Sequence, residues 1–299
     1  MALCCNNSPF DCLLLDLDDT LYPLSLGISQ ACKKNIDEFL AMKCGLPIEQ
    51  ASSLRVELFK KYGSSLAGLM ALGYEVHPDE YHSFVHGLLP YEKIRPDSQL
   101  RELLLSIPQT KIVIFSPFVL HISILCFAIN LLIISAIVQI FTNSDRKHAS
   151  RVLERLCIEE ECFQKIICFE TLNPQLFENK PTSAAARQPP TVVLKPFIAA
   201  VEAAIDIAGF EPHRTLFLDD SEKNIAAGKA VGLRTALVGR STKTKEADYA
   251  MESITSLRQT IPEIWEGEQA KKSVSGELTV LKVRNELDAI RPTTAPIQA

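Results

Sequence analysis

The chain has 299 residues, a formal charge of −5, an isoelectric point near 5.8 and 22% charged residues. That is enough chain for one large or two modest domains, and it lacks the basic footprint of a protein that binds a nucleic acid polymer. The nine cysteines lie mostly in apolar runs, show no CxxC spacing and follow no secretory leader, so they read as reduced thiols of a cytoplasmic protein.

In chain order, FDCLLLD (10–16) is a short apolar run ending in an acid, the pattern of a buried parallel strand that delivers a loop to a site. Residues 28–72 then place Ile28, Ala31, Cys32, Ile36, Phe39 and Leu40 at helical spacing, with breaks at Gly45-Leu46-Pro47 and at Gly63. Residues 76–106 also read as helical. They finish in an amphipathic helix begun at Pro96, carrying Leu100, Leu103 and Leu104, and lead into a strand-like KIVIF at 111–115.

Residues 112–142 contain no Lys, Arg, Asp or Glu, and 118–138 is long and apolar enough to qualify as a membrane span. FTNSD (141–145) follows, then a helix over Arg146–Leu156, a short strand near 166–169, and a loop at 173–191 whose four prolines mark it as mobile surface. Residues 192–194 bring the chain to Lys195-Pro196, and a helix covers about 197–208. A strand at 215–218 ends in Asp219-Asp220, a helix spans 221–230, and a strand covers Arg234–Val238. Gly228 and Gly232 are expected to supply left-handed conformations at that helix end. From about 266 the sequence is a polar tail. Strands alternating with helices predict an α/β fold with a parallel sheet.

Four of these segments can converge at the carboxyl edge of such a sheet, where open α/β sheets place their ligands. Alternation in DLDDT points Asp16 and Asp18 the same way, and two carboxylates that close repel unless a cation or shared proton relieves them. Asp219 and Asp220 complete a hard-oxygen environment of the kind Mg²⁺ prefers. Each signal alone is weak, since a lone DxD is often a helix cap or turn and Asp219-Asp220-Ser221 can simply cap a helix. Their order, with apolar strands in front of them, carries the reading.

DLDDTLYP (16–23), TNSD (142–145), Lys195-Pro196 and FLDDSEKNI (217–225) resemble the four ordered motifs of the haloacid dehalogenase-like hydrolases, over roughly residues 10–265. Within that superfamily, LYP after the first motif, KYGSSLAGL (61–69) and HPDEYHSFVHGLLPYEKIRPD (77–97) resemble the pyrimidine 5′-nucleotidase group of yeast and plants. The resemblance implies a Rossmann-like core of residues 10–23 and 96–265 with helices on both faces, a helical cap at 24–95, and a flexible tail at 266–299. It implies that Asp16 is the nucleophile of an aspartyl-phosphate intermediate and Asp18 the general acid and base. Thr142 and the backbone of Asn143 would bind a phosphoryl oxygen, and Lys195 would neutralise developing charge. Mg²⁺ would sit among Asp16, the carbonyl of Asp18, Asp219 and Asp220. The expected substrate is a small phosphorylated metabolite, favouring a pyrimidine nucleoside 5′-monophosphate. Other sugar or metabolite phosphates, or a catalytically impaired isoform acting as a scaffold, are the alternatives.

The family pattern runs a strand directly into TNSD, whereas here about 25 residues intervene between KIVIF (111–115) and TNSD (142–145), and either IVIF (112–115) or VQIF (138–141) could fill the central slot. The apolar insertion at 118–140 is rich in residues of uridine-rich codons, as translated intron sequence would be. A membrane helix at 118–138 is the competing explanation, although flanking Lys/Arg asymmetry and aromatic belts are missing. Weakened activity or poor solubility is expected of a chain that carries it. His82 and His86, one helical turn apart, read as a solvated cap face rather than a metal pair, and Cys157, Cys162 and Cys168 as core rather than a zinc site.

Overall fold

The structure is a computed structural model that describes residues 8–108, 137–178 and 191–265. Its strands are β1 (Cys12–Leu15), β2 (Ile137–Phe141), β3 (Ile166–Ile167), β4 (Thr215–Asp219), β5 (Arg234–Val238) and β6 (Tyr249–Met251). They form one six-stranded sheet in the order β3-β2-β1-β4-β5-β6, and every pairing is parallel. Central β1 is buried along its whole length, as a continuous apolar run predicts for a strand covered on both faces.

Register places the site. Leu15 lies level with Ile140 on one side and with Leu218 on the other, so the residues just after them emerge together at one edge. Strand order reverses across β1, where β2 and β4 lie on opposite sides, which makes this edge the topological switch point where α/β sheets bind ligands.

The helices are α1 (Ile28–Cys44), α2 (Ile48–Tyr62), α3 (Ser65–Ala71), α4 (Pro78–Gly87), α5 (Ser98–Ser106), α6 (Arg146–Leu156), α7 (Phe169–Leu172), α8 (Ile198–Ala208), α9 (Glu222–Ala230) and α10 (Leu257–Thr260). Leu13, Leu15, Val138, Ile140, Leu216 and Leu218 face α5, α6 and Trp265. Leu14, Phe217 and Leu237 face α8 and α9. This period-two division of the strands between two apolar layers is what a sheet with helices on both faces requires.

Helices α1 to α4 hold a third apolar cluster, with Phe39, Leu58, Leu69 and Val85 packed among themselves and against Phe169 and Leu194 from the sheet side. The breaks legible in the sequence end α1 and α2: Gly45 and Gly63 adopt φ of +66° and +80°. At Gly63 a Cβ would also meet the Phe197 ring at 2.5 Å.

The structure departs from the sequence reading at several points. The helix expected from Pro96 starts at Ser98, because Asp97 caps it by accepting from the Leu100 amide at 2.9 Å. Gly228 is not left-handed. It lies inside α9, where a Cβ would come within 2.7 Å of Phe217, so close packing and not backbone freedom demands glycine; Gly232 alone of the pair takes a positive φ, +88°. Cys162 and Cys168 are buried, but Cys157 is exposed in a left-handed cap at the end of α6. Strand β6 carries too few residues and too little burial to announce itself in sequence.

The central slot is filled by Ile137–Phe141, while 111–115 lies outside the described residues, as do 266–299 and nearly all of the 118–140 insertion. Among the described residues no helix is long and apolar enough to cross a membrane.

Candidate active site

Lys195 sits at the centre of the sheet edge, buried to 2% exposure. Its three N–H groups find three acceptors: Asp16 Oδ1 at 2.7 Å, Asp219 Oδ2 at 2.8 Å and the Phe141 carbonyl at 2.8 Å. That saturates an ammonium. Burial alone would lower its pKa, but the facing charges of Asp16 and Asp219 prevail and hold it above the ordinary lysine value.

Two asparagines deliver this lysine. Asn143, just past β2, donates to the Lys195 carbonyl at 2.9 Å and accepts from the Lys195 amide at 2.8 Å. Asn173 does the same for Val193, at 3.0 and 2.7 Å, and is wholly buried. It was expected in a mobile surface loop, but its side chain makes the hydrogen bonds of a missing strand neighbour and is therefore fixed.

Asp16 continues the β1 ladder through its amide, which donates to the Leu218 carbonyl at 2.9 Å, and its Oδ2 accepts from Thr20 at 3.0 Å. Burial, together with the nearby Asp219 and Asp18 carboxylates, pushes the Asp16 pKa up against the pull of Lys195. Thr142 lies at the same edge, 1% exposed, with its hydroxyl accepting from the Ser144 amide at 3.1 Å.

Asp18 faces a different set of partners. Its Oδ1 meets Tyr22 Oη and His148 Nε2, both at 2.6 Å, and its Oδ2 accepts from Ser144 at 2.7 Å. Burial opposes ionisation, but the His148 charge and these donors outweigh it and hold the carboxyl well below its usual range. Reciprocally, burial would lower His148, yet Asp18 raises it, so an imidazolium donates from Nε2 to Asp18 and meets Tyr91 Oη through Nδ1 at 2.8 Å.

Two more imidazoles adjoin it from α4. His86 lies 4.6 Å from His148 between ring centroids and stacks on His82 at 5.4 Å. His86 Nδ1 reaches Asp145 Oδ1 at 2.5 Å. Burial keeps His86 neutral, and against burial its hydrogen bond holds the Asp145 carboxyl at about 2. The solvated face expected for this pair is thus corrected: His82 is 6% exposed, because α4 turns that face toward Phe169 and α6. Helical spacing identified the face but not the side to which it rolls. The sequence reading also passed over His148, Ser144 and Tyr22. The available signals were Ser144 within TNSD and His148 three residues beyond Asp145 on a helix, where i,i+3 positions share a face.

Asp16, Asp219 and Asp220 each offer a carboxylate oxygen, all within 4.8 Å of one another. Asp219 is oriented by the Ser221 amide at 2.9 Å and by Asn224. Burial, then Asp219 and Asp19, push Asp220 up to about 7, and Asp19 Oδ1 is buried without a hydrogen-bond partner among the described residues. Concentrated hard-oxygen donors with uncompensated negative charge suit a divalent cation such as Mg²⁺. The Asp18 carboxylate is not part of this group.

A cavity of about 460 Å³ opens over Asp18 between α1, α2 and α4 and the sheet edge. Its floor holds Asp18, Asn143, Ser144 and His148, and its walls are mainly apolar.

No protein-family model matches the chain. Among curated proteins it is similar to phosphate metabolism protein 8 of Saccharomyces cerevisiae, 25% identical over 146 residues that cover 48% of this chain and 39% of that protein. The match thus spans about two fifths of the length of that curated relative. Similar solved structures include the HAD-hydrolase YfnB of Bacillus subtilis, bound to magnesium, at 16% identity and TM-score 0.47, covering 84% of this chain and 97% of that one. A HAD phosphatase of Thermococcus onnurineus has 15% identity and TM-score 0.46, with coverage of 83% and 96%. The L-2-haloacid dehalogenase of Xanthobacter autotrophicus has 11% identity and TM-score 0.44, with coverage of 84% and 97%.

Proposed function

We propose that this chain is a magnesium-dependent phosphatase of the haloacid dehalogenase-like type that hydrolyses a small phosphate monoester, favouring a pyrimidine nucleoside 5′-monophosphate. The observation that carries the reading is Lys195 bridging Asp16 and Asp219 at the switch point, with a second, separately held carboxylate, Asp18, at the cavity floor. One carboxylate pinned by a cation and another supplied with a proton donor is the division of labour that nucleophilic phosphoryl transfer needs.

An Asp16 oxygen attacks phosphorus, the ester P–O bond breaks, and the leaving oxygen takes a proton from Asp18. Asp18 draws that proton from the His148 imidazolium at 2.6 Å, which reconciles a carboxyl held low with the role of general acid. Asp18 then removes a proton from water as it attacks the acyl phosphate, releasing inorganic phosphate and restoring Asp16. Lys195 would act through its charge, and the Thr142 hydroxyl with the Asn143 amide would donate to the phosphoryl oxygens on which charge builds. Magnesium held by Asp16, Asp219 and Asp220 with the main chain of Asp18 would offset the charge of the incoming dianion. Helices α1 to α4 act as the cap that excludes water. The likeness to a yeast protein named for phosphate metabolism points the same way.

The test is phosphate release from uridine and cytidine 5′-monophosphates and a panel of sugar phosphates. Asp16→Asn is expected to reduce release by at least roughly a thousandfold. A panel without phosphate release, together with failure of beryllium fluoride to lodge on Asp16, overturns the reading.

A further inference from the structure

We infer that His82 is the residue by which the cavity recognises a neutral hydrogen-bonding group on the leaving part of the substrate, of the class found on the carbonyl and N–H edge of a pyrimidine ring. The inference rests on the phosphatase reading of the cavity and adds to it the group that reads the leaving part.

His82 lines the cavity and is 94% buried, being 6% exposed. Neither ring nitrogen has a hydrogen-bond partner among the described residues. Of its neighbours, His148 has both nitrogens partnered, by Asp18 and Tyr91, and His86 has its Nδ1 held by Asp145. A polar ring that lines the cavity with its nitrogens unpaired keeps hydrogen-bonding capacity that a ligand in the cavity can take up.

The imidazole is neutral, since burial and then His86 push it down to about 3. It therefore offers one donor and one acceptor, which complements an amide or imide edge and not an anion. Its position suits the far end of a leaving group. It stands two ring-to-ring steps, 4.6 and 5.4 Å, from the imidazole that touches Asp18. Ile36, Val56 and Phe59 also line the cavity and give it apolar surface that suits a ring.

A purely structural role would rest on the edge-on contact with Phe169 at 4.6 Å and the stack on His86. His82→Phe keeps an aromatic ring there and removes only the nitrogens. In the full chain carrying Asp16→Asn, binding of uridine 5′-monophosphate and of phenyl phosphate is measured by calorimetry. Both ligands carry the same dianion, but phenyl phosphate lacks a polar ring edge. His82→Phe is expected to weaken uridine 5′-monophosphate by roughly ten- to hundredfold and to leave phenyl phosphate unchanged. His82→Gln, which keeps a donor and an acceptor, is expected to recover part of the loss. His82→Leu carries the same comparison should the phenylalanine variant not fold. Unchanged nucleotide affinity, equal weakening of both ligands, or no nucleotide binding overturns the inference. Phosphate release by the unmutated chain is read separately. Discrimination without release would remove the proposed activity and leave the role of His82 standing.

Discussion

Lys195 compensates two carboxylates, Asp16 and Asp219, while Asp18 is compensated by His148 and Asp220 by no side chain whose pull outweighs burial. The residues of this edge therefore differ in what they ask of a ligand. Nearby, His82 makes its own demand on stability. In the unfolded chain it titrates near 6.5, but in the folded protein burial moves it to about 3. Between those values the unfolded state binds a proton that the folded state refuses, so this residue withdraws stability as pH falls from about 6.5 toward 3. His86 and His148 strengthen the refusal and Asp145 opposes it. His82→Phe is expected to flatten urea-derived stability against pH between 6 and 4 by about 1.4 kcal/mol per pH unit. The limb due to His86 remains. An unaltered slope would show that His82 is protonated in the folded chain. At this scale the sequence exposed the residues that strand ends aim, Asp16, Asp219 and Thr142, because a strand terminus fixes direction. It did not expose His148 or the inward turn of His82, because the roll of a helix is set by packing against partners distant in sequence.

Strand β2 shows where an element resists reading. IVIF and VQIF are both short apolar runs, and periodicity does not rank one above the other. The run that fills the slot carries Gln139, fully buried, with Nε2 donating to exposed Gln164 at 2.8 Å and Oε1 without a partner among the described residues. An unsatisfied buried amide oxygen costs more than the hydrogen bond to a surface glutamine returns. Gln139→Leu is therefore expected to raise unfolding free energy by on the order of 1 kcal/mol in chemical denaturation. A loss of stability would mean that Oε1 has a partner after all. By contrast the ends of α1 and α2 were legible, since Gly45 and Gly63 take positive φ that other residues reach only at a cost.

For the molecule as a whole, the connection between α5 and β2 is the anomaly. Helix α5 ends at Ser106 and β2 begins at Ile137, so residues 107–136 link them, where such a link ordinarily needs about 2–6 residues. Removing 115–140 joins Ile114 to Phe141 and leaves 107–110 as the link, a length within that range. Lys111, Ile112, Val113 and Ile114 then fall in the register of Ile137 to Ile140 beside β1. Val113 falls where Gln139 now buries an unpaired oxygen, and Lys111 falls at the half-buried first position, where a lysine stem can lie along apolar surface with its charge outward. Phe141, whose carbonyl holds Lys195, and the TNSD segment keep their places. The shortened chain is expected to unfold cooperatively with a thermal midpoint at least equal to that of the full chain, to remain soluble at higher concentration, and to release phosphate at least as fast. A shortened chain with no cooperative transition would show that the sheet depends on the residues removed.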